Sequence, residues 1–168
     1  MKPATLSVAF IMAFAVGARS FGAEPPVSVV QKLRNRGCRV SNKKPKDIIR
    51  GEFLKPGQSD WAALCSTKKT TSLLVFPGGS TEGIAVLETN SKGFSKWSIS
   101  VIGQEELKSS DPTARWKDLR SAEINHQGIR SFVEFGEPGG CLYCYSAQDS
   151  THYYHQDHWL IPVQIIIN

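Results

Sequence analysis

The chain has 168 residues, 40% of them hydrophobic and 21% charged, which is enough for one domain. Its formal net charge is +5, and a cut after Gly22 would remove Lys2 and Arg19 and no acid, leaving about +3. There is no internal repeat, no heptad pattern and no low-complexity block, so solenoids, coiled coils and biased linkers are excluded.

Met1-Lys2-Pro3 opens the chain, a largely apolar run follows from Ala4 to Val16, and small residues run from Gly17 to Ala23. That is the positive, apolar and cleavable layout of a secretory signal. The run is shorter than the ~20 apolar residues that span a bilayer. Small or tolerated residues place the cut between positions 18 and 23, so the expected division is a signal at 1–22 and a single secreted α+β domain at 23–168. No cysteine follows the apolar run, so a lipid anchor is not expected, nor stable membrane insertion after cleavage. The expected location is the periplasm or the exterior, where nucleic acid is an improbable partner.

Export changes the reading of the cysteines, because thiols outside the reducing cytosol tend to pair. Four cysteines allow three pairings, and sequence alone does not choose among them. The pairing expected here is Cys38 with Cys65, with Cys141 and Cys144 left three apart.

Val27, Val30 and Leu33 recur at helical spacing after Pro25-Pro26, with Val29 beside them, and Gly37 stops the run. A short helix is expected from Val27 to Arg36. Lys32, Arg34, Arg36, Arg39, Lys43, Lys44, Lys46 and Arg50 then face one acid, Asp47. A polyanion surface, glycan or lipid, is the functional reading; a solvated helix and loop is the preferred one.

Strand signals follow at Ile48–Phe53, then a Pro56-Gly57 turn. Asp60–Ser66 carries Trp61, Ala63 and Cys65 on one face and Ala62 and Leu64 on the other. Strands apolar on both faces are central and covered on both sides. Ser72–Phe76, Ile84–Glu88 and Trp97–Ile102 read as strands, with turns at Pro77-Gly78-Gly79 and Asn90–Gly93. Gln104–Lys108 reads as a helical turn, and Asp111-Pro112 as a second helix start ahead of Trp116 and Leu119. Asn125–Gly128 reads as a hairpin turn between Ser121–Asn125 and Ile129–Phe135. Cys141–Ser146 reads as a strand or extended loop, and Thr151–His155 with His158–Ile167 reads as a hairpin around Gln156-Asp157. The tally predicts an α+β domain, mainly antiparallel sheet, with one N-terminal helix packed on it and a short middle helix.

Ile49-Arg50-Gly51-Glu52-Phe53 and Gly57-Gln58-Ser59-Asp60-Trp61-Ala62-Ala63-Leu64-Cys65-Ser66 form a specific block. It resembles a pattern in small exported bacterial proteins of unassigned function, which carry a cysteine after an early helix, then G-E-F, then G-Q-x-D-W-A-x-L-C-S. His126-Gln127-Gly128-Ile129 and Trp159 fit the same layout. The resemblance supports the Cys38–Cys65 bond and the compartment, and it implies no activity. The block is also locally similar to one FG-GAP-type repeat unit, but Lys55 sits in its loop and only Glu52 and Asp60 are acidic, so calcium is not expected.

The late chain holds the chemistry-bearing residue types. Cys141 and Cys144 followed by His152 and His155 are a possible zinc set, since thiolate and imidazole are the natural ligands of that ion. Residues three apart in a strand point to opposite faces, so a sharp turn would have to re-aim one of each pair. A redox C-x-x-C normally opens a helix, and no helical pattern follows Cys144. There is no G-x-S-x-G elbow, and His126 with Glu123 or Asp118 reads as a turn residue before an acid–base pair. Tyr143, Tyr145, Tyr153, Tyr154 and Trp159 supply contact area with polar handles. The function expected from all of this is an exported, non-catalytic binding module with no cofactor, its late aromatics meeting a protein, a glycan or an anionic surface. A zinc protein or metal-dependent hydrolase built on Cys141, Cys144, His152 and His155 is the alternative.

Overall fold

The computed structural model describes residues 24–39, 47–91, 94–109, 124–135, 146–161 and 163–167. The opening apolar stretch, the Asp111-Pro112 helix start, Cys141, Cys144, Tyr143 and Tyr145 lie outside them.

Helix α1 spans Val27–Asn35. Its buried stripe is Val29 and Leu33, one turn apart, whereas Val27 is 72% exposed. The periodicity of Val27, Val30 and Leu33 therefore misplaces the apolar face by part of a turn. The helix ends where the sequence ends it. Gly37 takes a positive φ of 74°, its N–H donates to Arg34 O at 2.8 Å, and the Cys38 N–H donates to Leu33 O at 3.0 Å. These two bonds make a Schellman motif. Its usual apolar contact is present too, because Cys38 and Leu33 share one core cluster. The helix stop thus fixes the position of Cys38, which bonds Cys65 across a Cα–Cα distance of 4.8 Å.

The first sheet has strands β1 (Ile48–Gly51), β2 (Asp60–Ser66), β3 (Thr70–Phe76) and β4 (Ala85–Ser91), paired antiparallel in that order. β2 is central, and both its faces are covered as its composition requires. Trp61, Ala63 and Cys65 pack with Val29, Leu33, Cys38, Leu74 and Phe76 under α1. Ala62 and Leu64 pack toward the second sheet with Phe53, Leu73 and Val75. The Pro77–Gly79 turn follows β3, and a Cβ on Gly79 would stand 3.1 Å from the Pro26 ring and 3.4 Å from Trp61 Cδ1.

The second sheet is built from β5 (Phe94–Ile102), β6 (Gly128–Phe135), β7 (Ser146–His155), β8 (His158–Leu160) and β9 (Val163–Ile167). β8 and β9 continue one register along the same edge of β7. Helix α2 (Gln104–Ser109) follows β5. Its Leu107 packs with Ile102 and Tyr153, and its Glu106 meets Arg130 of β6, which also grips Asp149 of β7. The core lies between the sheets, where Trp97, Ile99, Ile129 and Val133 meet the inner residues of β2 and β3. Each fully buried aliphatic or aromatic side chain there stabilises the fold by about 1.5–3 kcal/mol relative to exposure. The mostly antiparallel α+β architecture is the one the residue pattern predicts.

Two local expectations change. β7 is one ten-residue strand, Ser146–His155, so the strand expected at Thr151–His155 begins five residues earlier; Cys141–Tyr145 of the expected extended piece lie outside the described residues. Ile124–Gln127 is not a hairpin arm and turn but an irregular segment tied down by hydrogen bonds to other elements. Asn125 N–H donates to the Tyr153 hydroxyl at 3.1 Å, Asn125 O accepts Gln104 Nε2 at 2.9 Å, and Gln127 N–H donates to Glu52 O at 3.0 Å.

Candidate functional site

Between the sheets lies a polar cluster that the apolar pattern does not announce. The β3–β4 register shifts so that Leu73 faces Glu88 and Leu74 faces Val86, leaving Leu87 as the extra residue of a β-bulge. Bulges re-aim side chains, and this one turns Glu88 inward. Its Oε2 accepts the Ser131 hydroxyl at 2.8 Å and lies 3.5 Å from His152 Nε2. Its Oε1 accepts Gln148 Nε2 at 3.1 Å and Asn90 Nδ2 at 3.1 Å. Burial raises the Glu88 pKa, but hydrogen bonds from His152 and Ser131, the His152 charge and Asn90 outweigh it and hold the carboxyl below its ordinary value.

Serine, histidine and glutamate in contact invite a hydrolase reading, and the geometry argues against it. In a working relay the imidazole takes the serine proton while the carboxylate holds the opposite ring nitrogen. Here the Ser131 proton points to Glu88, the carboxylate sits on the same side of the ring, and Ser131 and His152 are both 0% exposed. His152 Nδ1 has no hydrogen-bond partner among the described residues.

Cys141 and Cys144 of the expected zinc set lie outside the described residues, and its two histidines do not face each other on β7. His152 points into the inter-sheet core, and His155, three residues on, lies on the opposite face, half-buried against His158. No group of three or more metal-ligating side chains occurs among the described residues. Asp60 is equally committed. Its carboxylate accepts the N–H groups of Phe53, Leu54 and Gly78 and the Gln58 amide, so it organises the 53–60 loop and the Pro77–Gly79 turn.

A second feature lies at the end of β7. A cleft of about 260 Å³ is lined by Leu54, Lys55 and Pro56 on one loop, Asn125 and His126 on another, and residues 153–157 of the β7–β8 hairpin. Tyr153, expected at a contact surface, is instead fully buried, with its ring stacked 4.4 Å from that of His126. The alternation of β7 turns it toward α2. His126 is also buried, and its two ring nitrogens face the carbonyls of Gln127 and Tyr154 at 2.9 Å each. Neither nitrogen is left for acid–base work on a substrate. Tyr154 and Trp159 remain half-buried and meet edge to face at 5.3 Å. The Tyr154 hydroxyl donates to Asp157 Oδ1 at 3.4 Å. Desolvation, then the Asp157 charge and this bond, raise its pKa, so the phenol stays a neutral donor.

The turn that closes the cleft is strained. Gln156 and Asp157 both have positive φ, 47° and 63°. A two-residue hairpin turn of this kind favours Asn-Gly or Asp-Gly, and side chains other than glycine hold such angles at a cost. Residues in that state cluster at ligand clamps and active sites. Sequence reading finds this turn but not its conformation, and it misses Lys55 and Glu88 because a lone lysine in a loop and a glutamate in a short strand carry no pattern. The chain matches no protein-family model, and neither curated proteins nor solved structures give a match.

Proposed function

We propose that the protein is an exported, non-catalytic binding module whose site is the cleft between the 54–56 loop and the β7–β8 turn. The strain of Gln156 and Asp157 at the rim carries the reading. A two-residue hairpin sets positive φ at both turn positions, so what supports the reading is that Gln156 and Asp157, not Asn-Gly, stand there and line the cleft. Export is supported by the Cys38–Cys65 bond, which persists in oxidising compartments. No helix among the described residues is long and apolar enough to cross a membrane.

The lining indicates a small polar ligand. Tyr154 offers an aromatic surface, and Lys55, Gln156, Asp157 and His155 offer donors and acceptors around it. Ligand pockets run from ~300 to 1,000 Å³, and this cleft falls just under that range, so a molecule of one or two sugar rings suits it better than a peptide. Saturation-transfer NMR with a panel of mono- and disaccharides tests this. The expected result is transfer to at least one sugar, lost in Tyr154→Ala. Absence of transfer across the panel, or transfer unchanged in Tyr154→Ala, would contradict it.

A further inference from the structure

Beyond saccharide binding, and sharing only His155 with that cleft, the structure points to a metal site at the hairpin tip: we propose that His155 and His158 together bind one divalent transition-metal ion of the imidazole-preferring class. The two residues are direct cross-strand partners that flank the Gln156-Asp157 turn. Their ring centres are 6.4 Å apart, with ring planes at 67°. A ligating imidazole places its ring centre about 3.2 Å from the ion, from a Zn–N distance of ~2.1 Å and the ring radius, so at the tetrahedral angle two rings on one ion stand roughly 5.2 Å apart. The observed 6.4 Å is about 1 Å wider, so the two rings must close by that much on an ion, which the exposed His158 side chain has room to do.

A second observation concerns the tautomer. His158 Nδ1 lies 3.0 Å from the Gln156 carbonyl, which can only accept, so Nδ1 carries the proton. The Nε2 lone pair is therefore left for a ligand. This is the arrangement in which a metal-binding histidine is oriented by a carbonyl on its other nitrogen. His158 is exposed and His155 half-buried, so an ion reaches both from solvent. Asp157 adds a negative charge between them in sequence, and Lys55, lining the same cleft, opposes it. With two protein ligands, water fills the remaining positions. The site thus uses one member of the zinc set read from the sequence and replaces the other three with a residue outside it.

Calorimetric titration of the oxidised full chain with zinc chloride alone, and separately with copper(II) chloride, tests the site. One equivalent is expected to bind, copper more tightly than zinc as the divalent series orders them, with no binding of magnesium. His155→Gln and His158→Gln should each weaken binding about tenfold or more, and Cys141→Ser/Cys144→Ser should not change it. In the unsubstituted protein, zinc should shift the ring resonances of His155 and His158 ahead of those of His126 and His152, a readout that needs no variant to fold. The proposal is overturned if no saturable binding occurs below about 1 mM. It is also overturned if binding survives loss of both histidines, vanishes with the two cysteines, or shifts other histidines first.

Discussion

Glu52 and Gln127 hold each other across the two sheets. The Gln127 side-chain oxygen accepts the Glu52 N–H at 2.9 Å, and the Gln127 N–H donates to the Glu52 carbonyl at 3.0 Å. Glu52 follows β1 and Gln127 precedes β6, so this reciprocal pair ties the G-E-F block to the H-Q-G segment and brings the two loops of the cleft together.

Glycine at position 51 makes the pair possible. A Cβ there would stand 2.4 Å from Phe53 Cε1 and 2.8 Å from Gln127 Oε1. Phe53 is fully buried and has no room to yield. Gly51→Ala is predicted to cost about 1–3 kcal/mol as overpacking, and Gln127→Ala roughly 1–2 kcal/mol through the unpaired Glu52 N–H. Urea unfolding of both variants checks this, and a Gly51→Ala protein as stable as the parent would show that the ring is not clamped.

The disulfide links residues 27 apart in sequence. Closing a loop of that length is worth about 3–4 kcal/mol in the chain-entropy model. Cys38→Ser, Cys65→Ser and the double variant each remove the same bond and are predicted to lose similar stability in urea. Widely different single losses would mean that α1 docking, not loop closure, dominates.

Glu88 gives a pH signature. Its folded pKa is depressed, so its contribution is complete above its ordinary value of 4.5 and is lost as pH falls through the lower folded value. Glu88→Gln should cost about 1.5–3 kcal/mol at pH 7 through charge-assisted bonds to Ser131, Gln148 and Asn90, and less at pH 3, below the ordinary value. His152 is the other titratable group in the cluster among the described residues. Urea midpoints at the two pH values measure the gap between parent and variant, and a gap that does not shrink on acidification would contradict the network.

The parts of the fold that were legible are those where burial has a period. Trp61, Ala63 and Cys65 against Ala62 and Leu64 announce a central strand, and Gly37 announces the helix stop. β7 was legible only in part, because its inward residues Gln148 and His152 face Glu88 rather than an apolar layer. A strand that lines a polar cluster lacks the alternation that marks strands. The site was half legible for a similar reason. Tyr154, His155 and Trp159 stand in the hairpin as read, but β7 is covered on both faces there, so His152 is buried between the sheets and Tyr153 under α2, and the opposition of His155 to His158 depends on a turn conformation that Gln-Asp does not advertise.

The most direct test of the account replaces the strained turn with one that suits its angles. Gln156→Asn/Asp157→Gly should raise stability by about 0.5–1 kcal/mol, because asparagine and glycine adopt positive φ at lower cost. The same change should weaken saccharide binding in the cleft, seen as a rise in thermal midpoint together with loss of saturation transfer. A protein that gains no stability, or that gains it with binding intact, would show that the turn is not held strained for the ligand.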